Sequence, residues 1–210
     1  MRNWCFSALS LLIIFTGCGD SEPAKEEKIS EIVIEKKAVA SVPVEVPDMV
    51  NSKVMRTAAI VNLKNIGIAM VRFADDHRGR FPENLKELIT ERYLTDGKSL
   101  ISPFDKKSVA GSATDFDPVK NCSYVYLAAG MINGHYGSDF PVVFEKPWLM
   151  PAKSDSIPVL FADGSSRFFQ IPDVNNRSCR EIVENVIRQS GLKAGVDLVL
   201  RSAEKADMIR

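Results

Sequence analysis

The sequence predicts an α+β domain: a long N-terminal helix packed on a small antiparallel sheet, with C-terminal helices behind it. Met55, Ala59, Leu63, Ile66, Met70 and Phe73 recur at three- and four-residue spacings, which is one face of an α-helix. After residue 121 the apolar residues fall instead into short runs rich in aromatic and β-branched side chains, the composition of strands. An Asp163-Gly164 pair separates the last two runs, a strong short-range sign of a hairpin. A helix with a single apolar stripe needs a surface to bury it, and a sheet is that surface.

The chain opens with Arg2 and a brief apolar run over 8–15 that ends in Thr16-Gly17-Cys18. So short a run cannot cross ~30 Å of hydrocarbon as a helix. It reads as a secretory signal peptide over 1–17. Its small-small-Cys ending resembles a bacterial lipobox. That resemblance implies that Cys18 becomes the first mature residue, is lipidated, and holds the chain to a membrane through its acyl chains. The expected location is the cell envelope, facing the periplasm or the exterior. Residues 18–50 then read as a tether: from Gly19 to Asp48 there are eight acidic and four basic residues, no aromatic residue, and prolines at 23, 43 and 47. Such a segment cannot bury a core of its own.

The folded domain is expected over 51–173. Its first helix should run over 52–76, widened on its apolar face by Ile60, Gly67 and Ala74, with Lys53, Arg56, Lys64 and Arg72 off that face. His77 and Gly79 supply a cationic last turn and a residue suited to a left-handed C-cap. A short second helix is expected over 82–94, with Leu85, Leu88, Ile89 and Tyr93 inward and Gly97 ending it. Strands follow in CSYVYLA (122–128), PVVFE (141–145), IPVLFA (157–162) and SRFFQI (166–171). Asp163-Gly164 is expected as a type I′ turn between the last two. Residues 174–210 form a helical extension. Ser178 and Glu181 fit a capping box ahead of Ile182, Val183, Val186 and Ile187, with Gly191 as the stop. Val196, Val199, Leu200 and Ala203 mark a last helix, expected to dock on the domain.

The blocks NLKNIGIAMVRFADDHRGRFPENLKEL (62–88), SYVYLAAG (123–130), PVVFEKP (141–147) and VLFADGSSRFF (159–169) resemble, in that order, the type II secretion pseudopilin-like proteins of planctomycetes and their relatives. The resemblance covers about half the chain and implies a pilin-type α+β domain. Members of that family open with a prepilin signal and a long apolar helix, where this chain has a lipobox and a charged tether. Ser102-Pro103 stands where Cys-Pro is common, and Asp163-Gly164-Ser165 where Asp-Gly-His is common. Without the apolar leader helix, assembly into a pilin-type fibre is not expected.

Chemistry is sparse. The 27 basic residues balance 27 acidic ones, which argues against a nucleic-acid partner. There is no nucleophile elbow, P-loop, HExxH or CxxC, so no enzyme activity and no cofactor are expected. His77 reads as a helix-end residue and His135 as a loop residue. Neither has a second histidine at zinc-ligand spacing. Asp115 and Asp117, with Asp105 nearby, are candidates for a calcium site, but calcium takes six to eight oxygens and a solvated loop is the expectation. Cys5 leaves with the signal and Cys18 is acylated, which leaves Cys122 and Cys179. In an oxidising compartment those two allow one disulfide, provided their Cα atoms approach to ~5–6 Å.

Two readings of function follow. In the first, the chain is a non-catalytic, lipid-anchored envelope protein with a pseudopilin-like domain, a structural or secretion-associated component beside other envelope or secretion-system proteins. In the second, it is a surface-tethered binding module for a glycan, peptide or ion, using the loops over 102–121 and 130–140. A large pocket with converging polar groups favours the second, and a closed convex domain the first.

Overall fold

The computed structural model describes residues 48–209, with side chains from Lys53 onward. The expected signal peptide, Cys18 and most of the expected tether lie outside the described residues. The expected α+β architecture is present. A long helix α1 (Asp48–Asp76) precedes a single-turn helix α2 (Lys86–Thr90) and the strands β1 (Tyr124–Tyr126), β2 (Pro141–Glu145), β3 (Ser156–Phe161) and β4 (Ser166–Gln170). Two helices, α3 (Cys179–Ser190) and α4 (Val196–Asp207), end the chain. The strands form one antiparallel sheet in the order β1-β2-β3-β4.

The apolar stripe of α1 is buried as its periodicity requires: Ala59, Leu63, Ile66, Met70 and Phe73 are all in the core. The helix lies close on the sheet at Gly67, where an added Cβ would stand 2.8 Å from Leu160 Cδ1 and 3.2 Å from the Gly164 carbonyl oxygen. Its Lys53–Asp76 portion is long and apolar enough to cross a membrane, but its inward face belongs to the domain core. The helix closes through the Gly79 N–H, which donates to the Ala74 carbonyl at 2.7 Å. Gly79 is left-handed as expected (φ +83°), and so is Arg78 before it (φ +58°). The second helix is shorter than its pattern. Arg92 turns left-handed (φ +66°) and the Leu94 N–H folds back to the Leu88 carbonyl at 2.7 Å, a Schellman-like stop that needs no glycine.

Every residue of β2 and β3 is buried, so both faces of the central strands are covered. Cross-strand pairs place Tyr124, Tyr126, Val143, Glu145 and Leu160 on the face that meets α1. The α3–α4 pair covers the other, with α4 reaching β1. Ser178 makes the expected capping box with Glu181. Asp207 in α4 accepts the Cys179 N–H at 2.7 Å and the Arg180 N–H at 3.1 Å. The carboxylate thus satisfies two of the open donors at the start of α3 and ties the two helices together.

Two expectations are corrected. The β3–β4 connection is a hairpin, but not a type I′ turn. The loop is Ala162-Asp163-Gly164, closed by Gly164 N–H to Phe161 O (2.9 Å) and Phe161 N–H to Ser165 O (2.8 Å). Only Gly164 has positive φ (+79°), the mark of a three-residue loop with a glycine bulge. The third loop residue relaxes the need for left-handed backbone at Asp163, whose carboxylate instead accepts the Ser165 N–H at 2.8 Å. The second correction concerns the cysteines. Cys122 and Cys179 are both buried and not bonded to each other. Each is fixed by its own surroundings: the Cys122 thiol points back along its strand to the Tyr124 carbonyl at 3.5 Å, while Cys179 opens α3 under the Asp207 carboxylate.

Candidate functional site

A groove of about 620 Å³ opens between α2, the 116–122 loop, β1 and α4. Its walls are apolar: Leu85, Phe116, Val125, Trp148, Ala206 and Ile209 line it. Val119 and Ile209, each more than half exposed (51% and 61%), stand at its rim. Three lysines complete the lining, Lys86 from α2, Lys146 after β2 and Lys205 from α4, and no acidic side chain is among the lining residues.

Lys146 holds the 116–122 wall in place. Its ammonium group donates to the Cys122 carbonyl, to the Pro118 carbonyl at 3.2 Å and to the Val119 carbonyl at 3.4 Å. Those acceptors are neutral, so the positive charge stays uncompensated. Asp105 supports the same region: it accepts the Lys107 and Ser108 N–H groups at 3.0 Å each and the Ser123 hydroxyl at 2.8 Å. Partial burial pushes its carboxyl up, but the hydrogen bonds from Ser108, Lys107 and Ser123 outweigh that and bring it down to about 2. Gly97 fixes the loop from the other side. A Cβ there would lie 2.4 Å from the Gly111 carbonyl oxygen, so only glycine allows this approach.

Beneath the groove, at the α1 face of the sheet, is a buried polar cluster. Glu145 is fully buried and accepts a short hydrogen bond from the Ser102 hydroxyl on one oxygen. Its Oε2 and the hydroxyl of Tyr124, its cross-strand partner, have no hydrogen-bond partner within 3.5 Å among the described residues. Burial pushes the Glu145 carboxyl up to about 7, with the Ser102 bond pulling the other way. Burial likewise drives the Tyr124 hydroxyl well up, the Glu145 charge adding to the rise and Asn62 opposing it. Asn62 is itself held to the Ile101 carbonyl at 2.8 Å, so the cluster pins the 97–105 segment to α1 and the sheet.

The candidate residues of the sequence are not brought together. Asp115 accepts the Ser112 N–H at 2.7 Å and also the Ser112 hydroxyl. Asp117 accepts the Val119 N–H at 2.8 Å and has Lys120 at 3.9 Å. Each carboxylate thus closes its own turn, and among the described residues no group of three or more His, Cys, Asp or Glu is arranged to hold a metal. His77 stacks on Phe73 with centroids 3.9 Å apart, contacts the Phe73 carbonyl through Nδ1 at 2.8 Å and reaches Glu91 through Nε2 at 3.1 Å, a helix-end clasp. His135 packs edge-on against Tyr136. Cys122 lines the groove, but burial pushes its thiol up to about 11, so it stays protonated at neutral pH and is a poor nucleophile. Cys18, the expected lipidation residue, lies outside the described residues.

The 102–121 loop expected to bind supplies Phe116, Pro118 and Val119 to the groove, but the groove's lysines, at 86, 146 and 205, share no spacing that the sequence could show. Sequence reasoning missed Glu145, which sits in an otherwise apolar run, PVVFE; a carboxylate at the end of a buried strand was the one available signal. No family model, no curated protein and no solved structure matches the chain.

Proposed function

We propose that this chain is a non-catalytic, lipid-anchored protein of the cell envelope whose pilin-like α+β domain acts as a tethered binding module. The groove at β1 carries this reading. It has the volume, apolar walls and few charged groups typical of ligand sites, and a convex scaffold would not need it. The Thr16-Gly17-Cys18 ending supports the anchor, and the charged tether over 18–50 supports a domain held off the membrane surface.

Two measurements test the proposal. With Cys18→Ser, the protein is expected to leave the membrane fraction or to accumulate unprocessed; an unmodified Cys18 in mature, membrane-bound protein would refute the anchor. With a photo-reactive amino acid in place of Ser202, which lines the groove, irradiation of intact cells is expected to trap a specific adduct. No adduct at that position would end the binding reading.

A second reading, a structural part of a secretion-associated assembly, draws on Val54, Val61 and Ile68. These are 62%, 49% and 54% exposed and recur every seven residues along α1, a narrow stripe of the kind that pairs helices. If it does so, Val61→Glu with Ile68→Glu should convert the detergent-solubilised protein from oligomer to monomer in sedimentation; a wild-type monomer would remove the reading.

A further inference from the structure

The groove meets β1 along its open edge. Tyr124, Val125 and Tyr126 all line it, and side chains alternate across a strand, so three consecutive residues share one space only at the strand's edge. The Lys146 N–H donates to the Ser123 carbonyl at 2.9 Å and the Leu127 N–H to the Val142 carbonyl at 2.9 Å. In an antiparallel pair this alternation gives the inward bonds to residues 123, 125 and 127. The peptide groups of Tyr124 and Tyr126 therefore face away from β2, toward the groove. Among the described residues no strand pairs with that edge.

Resting on the binding reading above, we propose that the groove takes an extended, acidic peptide of a partner protein, which adds to β1 as a further strand. The strand edge supplies main-chain hydrogen bonds, the part of such recognition that gives affinity. Pockets beside it supply selectivity: Val125, Phe116 and Trp148 would take alternate apolar side chains. Charge complementarity sets the remaining positions. Lys86 and Lys205 form no ion pair within 4 Å among the described residues, and Lys146 meets only carbonyl oxygens. A carboxylate-bearing strand would meet a lining with three cations and no acid. An acyl chain with a carboxylate head would satisfy the walls and the lysines, but would leave the amides of Tyr124 and Tyr126 without partners; the strand satisfies all three features.

The test pans a random decapeptide library on the mature lipidated chain in detergent micelles. Enriched peptides are expected to combine β-branched or aromatic residues with Glu or Asp. A synthetic representative should lose at least tenfold in affinity against Lys86→Glu or Lys205→Gln. Methylating alternate backbone amides of the peptide should abolish binding in one register and spare it in the other. Amide exchange at Tyr124 and Tyr126 should slow by tenfold or more in the complex, while Ser123 and Val125 stay unchanged; this readout does not depend on any variant folding. Failure to enrich any peptide, binding indifferent to amide methylation, or oleate binding the groove with no peptide competing would each overturn strand addition. A Ser202-position adduct that proves to be lipid or glycan would do the same while leaving the binding reading intact, whereas absence of any adduct removes both.

Discussion

Unfolding free energy should fall, not rise, as the pH is taken from about 4.5 to about 7, and Glu145→Gln should remove most of that fall. The folded-state carboxyl is raised to about 7 by burial, against an unfolded value near 4.5. Between those values the folded protein keeps a proton that the unfolded chain has released. Stability contributed by this proton is complete below pH 4.5 and is lost as pH rises through 7, a change of at most about 3 kcal/mol. Asp105 acts in the opposite sense at lower pH. Its carboxyl is held down to about 2, so its contribution is present above pH 4 and disappears as pH falls through 2. The summed contribution of these two groups is largest near pH 4–5. Urea denaturation across pH 3–8 reads this directly. A neutral amide at 145 cannot ionise, so Glu145→Gln should be the more stable protein at pH 8 and lack the decline. Ser102→Ala removes the donor that favours the carboxylate; it should steepen the decline. A flat or rising wild-type curve over 4.5–7 would show that Glu145 is charged in the fold.

The residues that predicted the fold are those whose partners are near in sequence or whose period is long. The α1 stripe runs over five turns, and tertiary packing had only to supply the surface. The capping box spans four residues, and the structure forms it as read. The strands over 141–145 and 157–162 were legible because apolar, β-branched runs of that length suit central strands buried on both faces. Local patterns failed where a tertiary contact decided. The 82–94 segment has helical spacing, but Arg92 and the Leu94 N–H close it after one turn. Asp163-Gly164 fixes that a hairpin forms, and Ala162, a residue with no turn preference, decides its loop length. Ser102 looked like a lost cysteine, and its role appears only opposite Glu145, 43 residues away. The groove is the extreme case, with walls from α2, a loop, β1 and α4.

Leu160→Ala should produce the deepest loss of stability of any change considered, and Gly67→Ala should change sign in its presence. Leu160 is fully buried in β3 and faces α1, so truncation removes its transfer free energy and opens a cavity, about 3–4 kcal/mol in all. Alone, Gly67→Ala gains about 1 kcal/mol of helix propensity but pushes a methyl group to 2.8 Å from Leu160 Cδ1 and 3.2 Å from the Gly164 carbonyl oxygen. Overpacking of that kind costs about 1–3 kcal/mol, so the single change should be neutral to destabilising. Once Leu160 is alanine, the Cδ1 contact is gone and the new methyl group occupies part of the cavity. The same substitution should then stabilise, by about 1 kcal/mol, with the Gly164 backbone limiting the gain. Four proteins in urea suffice to close the cycle. Additive effects would mean that α1 and β3 shift apart to absorb the methyl group, and that the close approach at Gly67 does not set the spacing of helix and sheet. A coupling of 1 kcal/mol or more would show that it does, because only a shared, rigid contact makes one residue's cost depend on the other's size.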